Sequence, residues 1–126
     1  MKKILPLLLI MICVLTLKIQ AQSAVYFCKT TGKYGYCYGA ATEMAARECA
    51  YTNCIKAGGS RPESIAYSEG KGFAAICIAE DYEGNVVIGV AVGQPTRDEA
   101  DSYATHQAEI HGGYYHQKIR ERWEDK

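Results

Sequence analysis

The stretch Gly39–Gly59, GAATEMAARECAYTNCIKAGG, returns as Gly93–Gly113, GQPTRDEADSYATHQAEIHGG, without a gap and at a constant offset. The two copies share Gly39/Gly93, Thr42/Thr96, Ala46/Ala100, Ala50/Ala104 and the closing pairs Gly58-Gly59 and Gly112-Gly113. Each copy opens on a threonine suited to cap a helix N-terminus. Small residues at helical spacing follow, and a glycine pair stops the helix. In the second copy Thr96-Arg97-Asp98-Glu99 completes a capping box, and Pro95 marks its boundary. Before each copy stands an alternating run, Tyr34–Gly39 and Ile88–Gly93. The repeated unit is a strand followed by a helix.

Outward from this core, Ala24–Cys28 is rich in β-formers and turns through Thr30-Thr31-Gly32 into Tyr34–Tyr38, which predicts a hairpin. Phe73–Ala79 and Val86–Val92, joined by the acidic turn Glu80–Asn85, predict a second hairpin; Ser64–Tyr67, after Pro62, reads as a weaker strand. Strand alternation places Tyr34, Tyr36 and Tyr38 on one face and Gly35, Cys37 and Gly39 on the other. The small face lets a helix approach closely. Ala46, Cys49, Ala50, Asn53 and Ala57 give the first helix a stripe to lay on it. In the second helix Ala100, Tyr103, Ala104, Gln107, Ala108 and His111 are expected inside, with Arg97, Asp101, Thr105 and Glu109 in water. The expected fold is α+β: two β-hairpin-plus-helix repeats forming an antiparallel sheet with helices on one face.

Met1-Lys2-Lys3, the apolar run Ile4–Leu17 and a polar exit at Gln22-Ser23 read as a secretory signal peptide over residues 1–21, cleaved after Ala21 and carrying Cys13 away. Residues 22–113 form the duplicated domain, and 114–126 a charged tail in which Tyr115, Ile119 and Trp123 recur at i, i+4 and i+8, the pattern of a short helix. No membrane span is expected in the mature protein. Setting aside Lys2, Lys3 and Lys18 leaves 11 basic side chains against 14 acidic ones, a net charge of −3, which disfavours nucleic acid and anionic membranes as partners. The remaining cysteines, Cys28, Cys37, Cys49, Cys54 and Cys77, read first as disulfide formers in an oxidising compartment, periplasmic or extracellular. Their odd number leaves one over. Cys49 and Cys54, five apart on a helix, point in different directions, so their partners are sought on strands. The layout suggests Cys28 with Cys37 and one helix cysteine with Cys77. Without a C-x-x-C pair the set fits no zinc site.

The Gly-aromatic-x-aromatic-Gly strand, the Thr-capped alanine-rich helix after it, and their repetition beyond the small-residue strand Ala74-Ala75-Ile76 resemble domain-of-unknown-function family 4189 over about residues 24–113. Members of that family are small exported bacterial proteins, so the resemblance implies a compartment and a fold; it brings no activity with it. Two features depart from the family pattern: Cys77 lies inside its strand, and a charged tail stands where a last strand is expected.

No catalytic motif accompanies these elements. There is no nucleophile elbow, no phosphate-binding glycine loop and no cysteine with an evident histidine partner. His106, His111 and His116 fall five apart and diverge around a helix, and Glu80, Asp81, Glu83, Asp98 and Glu99 read as solvated turns and a helix start. No cofactor or metal is expected. The candidate binding residues are Tyr34, Tyr36 and Tyr38, a strand-face platform for glycan or protein, and Tyr115, Ile119 and Trp123 on the tail, with Trp123 expected as an exposed anchor. The reading is an exported, disulfide-stabilised, non-catalytic interaction module whose partner is an unknown protein or cell-envelope component. The alternative is a small envelope hydrolase with a site not recognisable in sequence.

Overall fold

The computed structural model describes residues 21–68 and 70–126. The signal-peptide reading of 1–21 falls, apart from Ala21, outside the described residues. Among the described residues eight elements follow: β1 Gln22–Cys28, β2 Lys33–Ala40, α1 Glu43–Lys56, β3 Glu63–Ser68, β4 Gly72–Glu80, β5 Val86–Gln94, α2 Arg97–Ile110 and β6 Tyr115–Asp125. The chain is α+β, and each half runs strand, strand, helix, strand. Its antiparallel strands divide into two three-stranded sheets, ordered β2-β1-β3 and β5-β4-β6, each bearing its own helix.

The division follows from side-chain size on alternate strand positions. Along β4, Ala75, Cys77 and Ala79 gather with Ala100, Ala104 and Ala108 of α2. Between them, Ala74 and Ile76 turn the other way and meet Val25 and Phe27 of β1, Ile88 and Val90 of β5 and Trp123 of β6. On β1, Ala24 faces Ala46 and Ala50 of α1. Small residues thus receive the helices on the two outer faces, and large ones fill the space between the sheets. The layers run helix, sheet, sheet, helix. A single sheet with one covered face would have left the large residues of β4 and β5 in water, which their burial forbids.

The helices lie unusually close to their strands. A methyl group at Gly35 would overlap Cys54 N and Ala50 O of α1. One at Gly89, the equivalent position of the second half, would overlap Ala104 O and Ala108 N of α2. Both helices begin as the sequence indicates: Thr42 Oγ1 accepts from Ala45 N at 3.1 Å and Thr96 Oγ1 from Glu99 N at 3.1 Å. They end at Gly58 and Gly112, whose positive φ of 107° and 87° suits glycine. The buried stripes are narrower than expected. They comprise Ala46, Ala50 and Cys54 on α1 and Ala100, Ala104 and Ala108 on α2, with Tyr103 and His111 exposed. Ala50→Leu or Ala104→Leu should destabilise the protein by about 1–3 kcal/mol through overpacking, read from the denaturant midpoint. Unchanged midpoints in both would contradict the close contact.

The tail is a strand. Residues 115–125 pair with β4 along its length, so the charged segment supplies a last strand where helical spacing suggested a helix. A register shift between Ile76 and Cys77 leaves Arg120 without a partner and reverses the facing of the residues on either side of it. Ile119 therefore packs beside Cys77 toward α2, whereas Trp123 packs between the sheets. At the end of β6 the buried Asp125 clasps the two halves: its Oδ2 accepts from Ser23 Oγ at 2.7 Å and from Trp123 Nε1 at 3.3 Å.

Candidate functional site

β2 and β6 are edge strands of opposite sheets, and the candidate site lies beside β2. Alternation turns Tyr34, Tyr36 and Tyr38 toward the second sheet. Tyr34 and Tyr36 lean on the core between the sheets. Their rings form a ladder with centroids 6.5 Å and 6.3 Å apart and planes inclined by 28° and 10°. Trp123 lies nearly parallel to Tyr36 and Tyr38, at 5.2 Å and 5.9 Å. The anchor expected from the sequence is thus brought to the expected platform as its buried backing: Trp123 is only 7% exposed, while Tyr38, at 54%, presents the open end of the ladder.

A groove of about 740 Å³ runs along this strand, lined by every residue from Gly32 to Tyr38, by Asn53 and Ala57 at the end of α1, and by Ile78 and Arg120 across the seam. Asn53 Nδ2 donates to Tyr36 O at 3.0 Å, so a side-chain amide holds one main-chain carbonyl of the strand. Burial and the hydrogen-bonded Glu121 carboxylate push the Tyr36 phenol up to about 12, and burial raises that of Tyr34 as well. Both phenols stay neutral across physiological pH, and the single O–H of Tyr36 is donated to Glu121. Arg120 was missed as a site residue because nothing in the sequence marks the bulge that places it here.

The other tail candidates do not join this site. Tyr115 stands exposed at the far end of β6, opposite Glu80, and Ile119 is half-buried on the α2 side. The three residues spaced by four share neither a face nor a surface.

The cysteine pairing also differs from expectation. Cys37 is joined to Cys49, with Cα atoms 5.8 Å apart, while Cys28, Cys54 and Cys77 are free and buried. Cys28 cannot reach Cys37 because its cross-strand partner is Lys33, whereas Cys37 lies opposite Ala24. Cys37 shares the helix-facing side of β2 with Gly35 and meets Cys49 of α1. Cys77 faces α2, in the other half, and two sheets separate it from the cysteines of α1.

His106, His111 and His116 are all exposed, and His116 Nδ1 lies 3.1 Å from Glu80 Oε2. Asp81 organises its own turn. Its Oδ1 accepts from Asn85 N and Glu83 N, each at 2.9 Å, and these bonds hold its carboxyl below the usual range. Among the described residues no three His, Cys, Asp or Glu side chains converge as a metal site would require, and no helix is long and apolar enough to cross a membrane. No family model matches the chain, and no curated protein or solved structure matches it.

Proposed function

We propose that the protein is an exported, non-catalytic binding module that takes an extended peptide segment of a partner protein or cell-envelope component along the groove beside β2. The observation that carries this reading is the continuity of the lining: the chain from Gly32 through Tyr38, the turn and first part of an edge strand, borders one groove without a break. Such a strand offers main-chain hydrogen-bonding groups to an added strand, and pockets for alternate side chains supply selectivity. Tyr34, Tyr36 and Tyr38 line one wall with amphipathic rings that Trp123 holds in place, and aromatic anchors of this kind carry much of the energy of interfaces. Export is supported by the leader-like sequence of residues 1–21, the Cys37–Cys49 bridge and the resemblance to family 4189.

A peptide-display library selected on the folded protein tests the reading. Enriched peptides should lose at least about tenfold in affinity on Tyr38→Ala, a change of about 1.4 kcal/mol or more in binding free energy. The folding stability of that variant should stay within about 0.5 kcal/mol, because the ring is more than half exposed. Peptides that bind Tyr38→Ala undiminished, or capture of soluble glycan fragments with no peptide enriched, would overturn the peptide reading.

A further inference from the structure

Among the described residues three cysteines lie outside the Cys37–Cys49 bridge, and two of them, Cys28 and Cys54, both lie against Gly59. Cys28 ends β1 and Cys54 lies in the last turns of α1. Cys54 Sγ donates to Lys33 O at 3.7 Å, and Lys33 is the cross-strand partner of Cys28. Gly59, folding back after the helix, sits between them: a methyl group there would lie 2.6 Å from Cys54 Sγ and 3.2 Å from Cys28 Cβ. A side chain at Gly59 would collide with the Cys54 thiol and crowd the Cys28 side chain.

The second half of the chain has the same site without sulfur. Gly113, the counterpart of Gly59, would place a methyl 2.9 Å from Ala79 Cβ and 2.9 Å from Ala108 O. Ala108 takes the place of Cys54 in the repeat. Ala79 faces Val87 across its hairpin as Cys28 faces Lys33, and Val87 is the counterpart of Lys33. The bridged pair behaves alike, since the positions of Cys37 and Cys49 are taken by Ala91 and Tyr103. Both cysteine pairs therefore occupy strand-to-helix contacts of the first half that the second half builds without sulfur.

We infer that Cys28 and Cys54 are a redox-active dithiol that closes to a second strand-to-helix disulfide by exchange with an external disulfide. In the first step the Cys28 thiolate attacks one sulfur of the donor; the donor's S–S bond breaks and one donor thiolate leaves. Cys54 then loses its proton to solvent, its sulfur attacks Cys28 Sγ, and the second donor thiolate departs. Two cysteine thiols are oxidised by two electrons, the donor disulfide is reduced to two thiols, and the two protons balance.

The surroundings assign the roles. Thr30 Oγ1 lies 3.2 Å and Ser60 Oγ 3.9 Å from Cys28 Sγ. The Thr30 and Thr31 hydroxyls and the Arg61 backbone lower the Cys28 thiol to about 5 against the opposing effect of burial, and this favours its thiolate over that of Cys54. Cys54 is shifted upward, by burial and then by the neighbouring Cys28, which suits the thiol that attacks second. Cys28 has no exposed surface, but Thr30, Thr31, Ser60 and Arg61, which surround it, are themselves exposed. The donor needs only that thin cover to shift. Cys77, buried under α2, has no such partner among the described cysteines.

The test is a thiol count on the full folded chain, before and after incubation with oxidised glutathione, by alkylation in denaturant and peptide mapping. The count of alkylated sites among Cys28, Cys54 and Cys77 should fall from three to one, leaving Cys77, with a Cys28–Cys54 cross-linked peptide beside the Cys37–Cys49 one. If the protein is isolated already oxidised, the count should start at one and rise to three under dithiothreitol at a concentration that spares Cys37–Cys49. Cys54→Ser should stop at a stable glutathione adduct on Cys28, and Cys28→Ser should form no adduct. Three alkylatable thiols after oxidation, a glutathione adduct persisting on Cys28 while Cys54 is present, or a cross-link from either residue to Cys77 would each overturn the inference. The count on the unmutated chain decides the matter even if a serine variant does not fold.

Discussion

Trp123→Ala should destabilise the protein by about 3–5 kcal/mol, the range for truncating a buried tryptophan or phenylalanine. The indole fills the space between the two sheets beside Ala74, Ile76 and Val90, and lies nearly parallel to Tyr36 and Tyr38. Its loss opens a cavity that sheet pairing resists closing. It also takes the Nε1 donor from the buried carboxylate of Asp125, which then keeps only Ser23. A buried acceptor that loses a partner adds to the cost. Equilibrium urea unfolding measures the effect. A loss below about 1 kcal/mol would place the indole at the surface and remove the backing of the tyrosine ladder.

Replacing Cys37 and Cys49 together by alanine should cost about 2–4 kcal/mol, the usual range for a native bridge, since the unfolded chain regains the freedom of a short loop. The sequence separation of 12 lies near the loop length for which chain entropy alone gives about 3 kcal/mol. The bridge fastens an edge strand to its helix. Its removal should therefore speed amide exchange in β2 and α1 more than in β4 and β5. Equal stability with and without the bridge, in matched denaturant titrations, would show that packing alone seats α1 on its sheet.

Much of the architecture was legible because local signals agreed. Thr42 and Thr96 cap the helices they were expected to cap, the glycine pairs end them, and the alanine stripes lie on small strand faces. The division into two sheets was less legible, because β4 reads as apolar on both faces. The size difference between Ala75, Cys77 and Ala79 on one side and Ile76 and Ile78 on the other carries the information, since helices need small partners and facing sheets need large ones. The tail misled because a spacing of four suits both a helix face and one side of a strand, and the bulge at Arg120 obeys neither. The disulfide could have been found from facing: Cys37 shares the small side of β2 with Gly35, so its reach is toward the helix and away from β1.

Of the site, the three tyrosines were visible as an alternating aromatic face, and the structure joins Trp123 to them as support. Asn53, on the helix stripe expected to lie against β2, lines the groove as that spacing implies, whereas Arg120 comes from a bulge that no local pattern encodes. The nearness of Cys28 to Cys54 was hidden likewise, since it depends on the chain folding back at Gly59.

The most direct measurement of the central claim, that the edge of β2 accepts an added strand, is residue-resolved amide hydrogen exchange of the folded protein with and without a peptide selected on it. Slowed exchange concentrated between Lys33 and Tyr38, and absent at the groove between Ile65 of β3 and Ile88 of β5, is the result expected. Unchanged exchange in β2, with protection at that second groove or along the helices, would contradict it.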